Sequence, residues 1–165
     1  MSTLIVYGSR YGCSRECAEL IREKLGDDEF VIFTRIDCQE PPTVSDYDRI
    51  IIGGSIRYGK IQRKLRRFIE TYRPLLLERE IGLYLCCLSR GEDARKLLDR
   101  SFPHDVIAHA KAVCFPGGSA SLEDVHPVFR KLFTARHASL DTRDNLVLDH
   151  FVRTLQEVRK TSPVS

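Results

Sequence analysis

Thr3-Leu-Ile-Val-Tyr-Gly-Ser-Arg-Tyr-Gly-Cys-Ser-Arg-Glu-Cys-Ala18 is the stretch whose reading decides the rest. Leu4 to Tyr7 form an unbroken apolar run, as expected of a strand covered on both faces. From Cys17 the apolar positions change to helical spacing, with Ala18, Ile21 and Leu25 following. Gly8, Ser9, Arg10, Tyr11, Gly12, Cys13 and Ser14 lie between as a loop. Such a loop aims backbone N–H groups and hydroxyls at one spot, on the positive end of the following helix, where a phosphate group fits. Ser9 and Ser14 offer hydroxyls, Tyr11, Gly12 and Cys13 offer backbone N–H, and Arg10 adds charge. An ordinary strand-to-helix turn also favours Gly and Ser, so the phosphate reading depends on what the remaining chain supplies.

With 165 residues the chain is long enough for one domain with its own core. Residues 1–160 are read as that domain and 161–165 as a disordered tail. A composition of 42% hydrophobic and 30% charged residues is ordinary for a globular protein. No signal-peptide pattern follows Met1, and no apolar run approaches the ~20 residues a membrane span needs, so a cytoplasmic protein is expected. A formal charge of +3 is too small to argue for nucleic acid as a partner. Cys13, Cys17, Cys38, Cys86, Cys87 and Cys114 make no C-x-x-C pair and show neither zinc nor secreted-disulfide spacing. Cys86, Cys87 and Cys114 fall in apolar runs, where the residue behaves as a small hydrophobe. Cys13 stands apart, because a helix N-terminus lowers a thiol pKa. No metal ligands are assigned.

Further strands are expected at Phe30–Thr34, Tyr47–Gly53, Ile81–Leu88 and Ala110–Phe115. Gly26 stops the first helix. The stretch from Cys38 to Asp46, with Pro41 and Pro42, has no helical period, so this crossover is irregular or holds a single turn. An amphipathic helix follows the third strand, with Ile61, Leu65, Phe68, Ile69 and Tyr72 on one face, and Pro74 ends the pattern or soon follows its end. Ser89 to Glu92 has capping-box form before a short helix through Ala94, Leu97 and Leu98, and Ser101 to Ala108 reads as a connection. A helix from Ser121 carries Val125, Val128, Phe129, Leu132 and Phe133, and Thr134–Asn145 reads as loop. A last helix begins near Leu146 and uses Leu148, Phe151, Val152, Leu155 and Val158. Five apolar strands alternating with helices imply an α/β fold with a parallel sheet covered on both sides.

Open parallel sheets bind ligands beyond the carboxyl ends of their strands. The loops Gly8–Ser14, Gly54–Lys60, Ser89–Gly91 and Pro116–Ser119 all fall there. Gly54-Ser-Ile-Arg-Tyr-Gly-Lys60 matches the start of a Walker A loop, but Ile61 stands where that motif needs Ser or Thr for magnesium. It reads better as a flavin loop: Ser55 and Ile56 present backbone to the ring edge, and Tyr58 lies against the ring or on the surface.

Ser9-Arg-Tyr-Gly-Cys-Ser14 together with Tyr47-Asp-Arg-Ile-Ile-Ile-Gly-Gly-Ser-Ile-Arg-Tyr-Gly-Lys60 resembles the flavodoxin superfamily, in particular its menaquinone-dependent protoporphyrinogen oxidase branch. The resemblance runs along nearly the whole chain and is sharpest in these two loops. It implies a flavodoxin-like three-layer sandwich with a five-stranded parallel sheet of order 2-1-3-4-5. It also implies non-covalent FMN and redox chemistry at the flavin, whose N5 accepts hydride before electrons pass to a quinone or other acceptor. The cofactor residues it implies are Ser9, Arg10, Tyr11, Gly12, Cys13, Ser14, Ser55, Ile56, Arg57, Tyr58, Gly59, Leu88, Ser89 and Gly117. Two departures stand out: the oxidases carry a long insertion where Leu88–Ala110 is short, and Cys13 occupies a position that is more often polar.

Arg57, Lys60, Arg63, Lys64, Arg66 and Arg67 border the expected ring edge, unlike the acidic surface of electron-carrier flavodoxins. The cluster suits a carboxylate-bearing substrate such as a porphyrinogen, an acidic redox partner or anionic lipid headgroups at a membrane surface; it is equally a solvated helix face. His104, His109, His126, His137 and His150 have no metal spacing and read as surface or capping residues. Three functions stay open: an FMN-dependent oxidoreductase of the protoporphyrinogen oxidase type, a flavodoxin-type electron carrier without a small-molecule substrate, and a binding module that has lost FMN.

Overall fold

Side chains alternate across an extended strand, so a strand apolar on both faces has to be covered twice. The computed structural model, which describes residues 1–9, 12–26, 30–36, 43–120, 140–141 and 144–161, meets that requirement with three layers. Strands β1 (Ser2–Gly8), β2 (Phe30–Arg35), β3 (Arg49–Ser55), β4 (Glu80–Cys86) and β5 (Ala112–Cys114) form one sheet in the order β2-β1-β3-β4-β5. Every pairing in it is parallel. The expected 2-1-3-4-5 order is therefore observed.

The two faces separate by residue parity. Leu4 and Val6 of β1, Ile50 and Ile52 of β3, and Ile81, Leu83 and Leu85 of β4 share one core. Helices α2 (Arg63–Leu76), α3 (Gly91–Ser101) and α4 (His104–His109) cover that face through Leu65, Phe68, Ile69, Leu98, Val106 and Ile107. Ile5, Tyr7, Ile51, Tyr84 and Cys86 point the other way. They pack on α1 (Cys13–Leu25) and α5 (Asn145–Thr161) through Cys17, Ala18, Ile21, Leu148, Phe151 and Leu155. Full burial of each central isoleucine of β3 contributes on the order of 1.5–3 kcal/mol. A salt bridge from Lys24 to Asp149 joins α1 to α5.

Several elements differ from the sequence reading. Helix α1 begins at Cys13, a turn earlier than the apolar spacing suggested, because Gly12 takes φ 96° and releases the chain directly into helix. Cys13 and Ser14 thus belong to the helix, not to the loop before it. The capping box at Ser89–Glu92 does not form: α3 starts at Gly91, and no side chain caps it. The connection at Ser101–Ala108 contains α4, a helix too short to show a period in sequence. Pro74 lies inside α2, two residues from its end, where the missing N–H removes only one helical bond. The crossover to β3 holds a single 3-10 turn at Val44–Asp46. Within the expected 134–145 loop, β7 (Leu140–Asp141) pairs antiparallel with β6 (Ser119–Ala120). The helix expected from Ser121 lies outside the described residues, as do residues 162–165 of the expected tail; Thr161, the first residue of that tail, is instead the last of α5. None of the described helices is long and apolar enough to cross a membrane.

At the amino-terminal edge of the sheet a cation is enclosed. Arg49, the first residue of β3, is fully buried, pairs with Glu80 at 3.2 Å, and donates from Nη2 to the Leu155 carbonyl of α5 at 2.8 Å. It ties two strands and a helix by charge-assisted bonds at the edge opposite the ligand loops. Arg49→Ala leaves Glu80 and the Leu155 carbonyl without this partner and is expected to lower unfolding free energy by ~3–5 kcal/mol, as urea denaturation would show. A loss below one kcal/mol, about the value of an exposed pair, would contradict the role.

Candidate functional site

In a doubly wound sheet of this order the strand order reverses between β1 and β3, and ligands of such sheets bind in the crevice beyond the carboxyl ends there. The register brings Gly8 beside Gly54 and Ser55 beside Cys86, so the loops after β1, β3 and β4 open at one level.

After β1, Ser9 is buried, and its Oγ accepts the Gly12 N–H at 3.0 Å, holding the loop closed on itself. Arg10 and Tyr11 lie outside the described residues. No side chain caps the start of α1, whose leading N–H groups, without intrahelical acceptors as in any helix, form the positive end of its dipole beside the loop after β1. The Glu16 carboxylate approaches it, with Oε1 3.4 Å from where a Cβ on Gly12 would sit.

Ser14 is fully buried, and its hydroxyl meets that of Ser55 at 2.5 Å, bridging α1 to the end of β3 across the switch point. Two hydroxyls carry two protons and use one between them; the second remains to be donated. Tyr84 secures the same turn from below, its hydroxyl donating to the Ser14 carbonyl at 2.8 Å. Gly53 makes this reach feasible, since a Cβ there would lie 1.7 Å from Tyr84 Cζ.

The loop after β3 is tighter than its sequence suggests. Ile56 N–H donates to the Cys86 carbonyl at 3.0 Å and prolongs the sheet, so that amide is engaged within the protein. Arg57 and Lys60 exchange backbone hydrogen bonds at 2.9 and 3.1 Å around Tyr58 and Gly59. Both central residues have positive φ, 49° and 74°, as a two-residue hairpin turn requires. The Tyr58 ring stands 69% exposed at the tip, with the Arg57 guanidinium 5.0 Å from its centroid. Beyond β4, Leu88 is 37% exposed, with the half-buried Ser89 next to it. Gly117 takes φ 90°, and its neighbour Gly118 packs so near the Cys87 backbone that a Cβ would come within 3.1 Å.

Gln62 was not singled out from sequence. It precedes α2 without capping it, and its amide lies over Gly8, where a Cβ would stand 1.9 Å from Oε1. That Oε1 is buried without a hydrogen-bond partner among the described residues. A buried amide in this condition at the rim of a crevice is suited to a polar ligand group. No local pattern could have revealed it, because the contact joins residues 54 apart in sequence.

Cys13, a candidate for a reactive thiol, is buried instead with Cys17 and Cys86, and the three sulfurs lie within 4.8 Å of one another. Hydrogen bonds with Cys13 and Cys17, and then burial, hold the Cys86 thiol well above its usual range. Burial pushes up Cys87 and, more strongly, Cys114. Burial and the neighbouring thiols raise the Tyr84 phenol well above its usual value.

A parallel sheet of order 2-1-3-4-5 with helices on both faces defines a doubly wound α/β protein. Residues 4–135 match the family model described as the flavodoxin domain, and the chain belongs to that family. Over 77 residues it is 32% identical to protoporphyrinogen IX dehydrogenase [quinone] of Escherichia coli K12, a match covering 46% of this chain and 42% of that one. The chain therefore aligns with less than half of the length of that curated relative. Among solved structures, oxidised flavodoxin 1 of Bacillus cereus superposes with a TM-score of 0.59 at 16% identity, over 99% of this chain and 100% of its own. A flavodoxin, WrbA-like protein from Agrobacterium tumefaciens gives 0.58 at 16% identity, over 98% and 99%. These likenesses establish the flavodoxin fold.

The fold keeps Tyr84 and Cys114 protonated above their ordinary values of 10.0 and 9.0. Unfolding releases those protons, so stability is complete below about pH 9 and declines as pH rises through and beyond the unfolded values. The urea midpoint is expected to fall between pH 8 and pH 10.5, and a Tyr84→Phe, Cys114→Ala variant should show a shallower fall. Equal slopes in both proteins would exclude these two groups as the cause.

Proposed function

We propose that the protein is an FMN-dependent oxidoreductase that oxidises a porphyrinogen-class substrate and delivers the electrons to a quinone or redox-protein acceptor. The observation that carries the reading is the arrangement at the switch point. The uncapped start of α1 and the Ser14–Ser55 hydroxyl pair lie together there, with exposed Tyr58 and Leu88 on the adjoining loops. The first two supply donors to a phosphate; the last two offer apolar surface to a flat ring. The residues present suit FMN in a further respect: the buried Gln62 Oε1, or its Nε2 after a half-turn of the amide, offers a polar partner to the sugar chain.

FMN, when bound, supplies a two-electron acceptor in its ring system. The chain's part is to bind and orient it. Ser9 holds the loop in shape through Gly12, while Ser14 and Ser55 donate the remaining hydroxyl proton. The loops at 54–60, 87–90 and 115–118 contain no His and no carboxylate, so no side chain there is assigned as proton donor or acceptor.

The porphyrinogen part of the reading is supported by the Escherichia coli relative and by charge. Helix α2 opens on Arg63 and Lys64 with no acidic residue in its first turn, an order its own dipole disfavours. Cations kept there against the dipole suit the carboxylates of a substrate approaching the ring edge; anionic lipid or an acidic redox protein would meet the same surface. A carrier role without a small-molecule substrate is the second reading, supported by the flavodoxins among the structural relatives.

Ser9→Ala combined with Ser14→Ala, which removes the Ser9 clasp on the loop and the Ser14 hydroxyl, is expected to weaken FMN binding by ~2–3 kcal/mol, measured by quenching of flavin fluorescence. An unchanged dissociation constant would rule out this phosphate position, and absence of micromolar binding by the unaltered chain would reject both flavin readings. Anaerobic mixing of the FMN-loaded protein with protoporphyrinogen IX is expected to bleach the flavin absorbance. If the band persists while a chemical reductant bleaches it, the carrier reading stands.

A further inference from the structure

The first turn of α1 carries thiol chemistry that the flavin reading does not use. Cys13 and Cys17 stand four residues apart, on one face of the helix, and Cys86 ends β4 against them. Their sulfurs lie within 4.8 Å of one another, those of Cys17 and Cys86 at 3.7 Å. The three residues are 5%, 1% and 3% exposed, and none is in a disulfide. Two positions are set by the helical repeat and the third by sheet register, so the triangle is organised before any ligand arrives. Ile5, Tyr7, Ile51 and Tyr84 belong to the apolar cluster around it.

We propose that Cys13, Cys17 and Cys86 form a binding site for trivalent arsenic, taken up as arsenous acid and held by three sulfurs. Soft sulfur ligands select soft, thiophilic ions, and charge then decides among them. Zinc with three thiolates keeps a net negative charge and needs a fourth ligand, and no fourth His, Cys, Asp or Glu joins the cluster among the described residues. Copper(I) with three thiolates is more negative still. Either charge would be enclosed in apolar surroundings, where an uncompensated ion costs several kcal/mol or more. Arsenous acid avoids this cost. Its three As–O bonds break, three As–S bonds form, and each thiol proton leaves with a hydroxyl as water. No electrons are transferred, and neither reactants nor complex carry net charge. The pyramidal product binds its three sulfurs on one side, which a triangle on one helix face and one strand end provides. Bound arsenic would fasten the start of α1 to β4, and stabilisation by mass action follows.

The site does not depend on the flavin reading, since it is tested on the full-length chain without FMN. The protein, reduced with a phosphine, is titrated with sodium arsenite and followed by native mass spectrometry, arsenic X-ray absorption and thermal unfolding. The expected result is one adduct per chain with the mass of arsenic less three hydrogens, three As–S and no As–O bonds, and a raised unfolding temperature. Cys13→Ser, Cys17→Ala and Cys86→Ala are each expected to abolish that adduct, leaving at most a two-sulfur complex that retains hydroxide. Cys38→Ala and Cys114→Ala are expected to keep it. No one-to-one complex, a retained As–O bond in the unaltered protein, or an adduct lost with Cys38 would each overturn the assignment. The absorption measurement on the unaltered chain decides the question even if a core variant fails to fold.

Discussion

A single hydrogen bond, from the Tyr84 hydroxyl on β4 to the Ser14 carbonyl in the first turn of α1, holds the functional edge together. It crosses beneath Gly53, which has no side chain to obstruct the ring. Because the phenol is completely buried, an unmade bond there would expose α1 to the full desolvation cost of both partners. Together with the apolar packing of Cys17, Ala18 and Ile21 it seats the start of α1, and with that seat come the meeting of Ser14 with Ser55 and the gathering of three thiols in the same cluster as Tyr84. One strand residue thus organises both a polar face toward the crevice and a sulfur-rich face toward the core.

The sheet separates its charges by edge. At the amino-terminal ends, Arg49 is enclosed with Glu80 and the Leu155 carbonyl, a satisfied and inward-facing arrangement that joins strands to α5. At the carboxyl ends, the polar groups face outward or are incompletely matched: an uncapped helix start, a hydroxyl pair with a proton to spare, and a buried Gln62 oxygen lacking a partner among the described residues. This contrast among the described residues supports the proposal that the carboxyl edge receives a ligand. The cations opening α2 act in the same sense, being placed against their own helix dipole.

Much of the fold was legible because it rests on local periodicity. The apolar runs of β1, β3 and β4 and the stripe of α2 appear where patterning placed them, and their alternation with helices implies the parallel sheet. Where the prediction departed, a short element or a single backbone angle was responsible. Helix α4 has too few residues to display a period, and the two-residue strands β6 and β7 show none. The early start of α1 turns on the φ of Gly12, which glycine permits without requiring.

The sequence by itself determined the α/β class, the sheet order through its family resemblance, and the loops that meet at the carboxyl edge of the sheet, since strand and helix patterning are properties of neighbouring residues. It also supplied Ser9, Gly12 and Ser14 as candidates. Only the tertiary structure decided that Ser14 faces Ser55, that Gln62 lies over Gly8, and that Cys86 joins Cys13 and Cys17. The cysteine spacing contains none of the usual metal motifs, yet a triangle of thiols forms across 73 residues. Contacts of that kind are set by the register between strands and by the way a helix is seated on a sheet, and neither is written in any one stretch of chain.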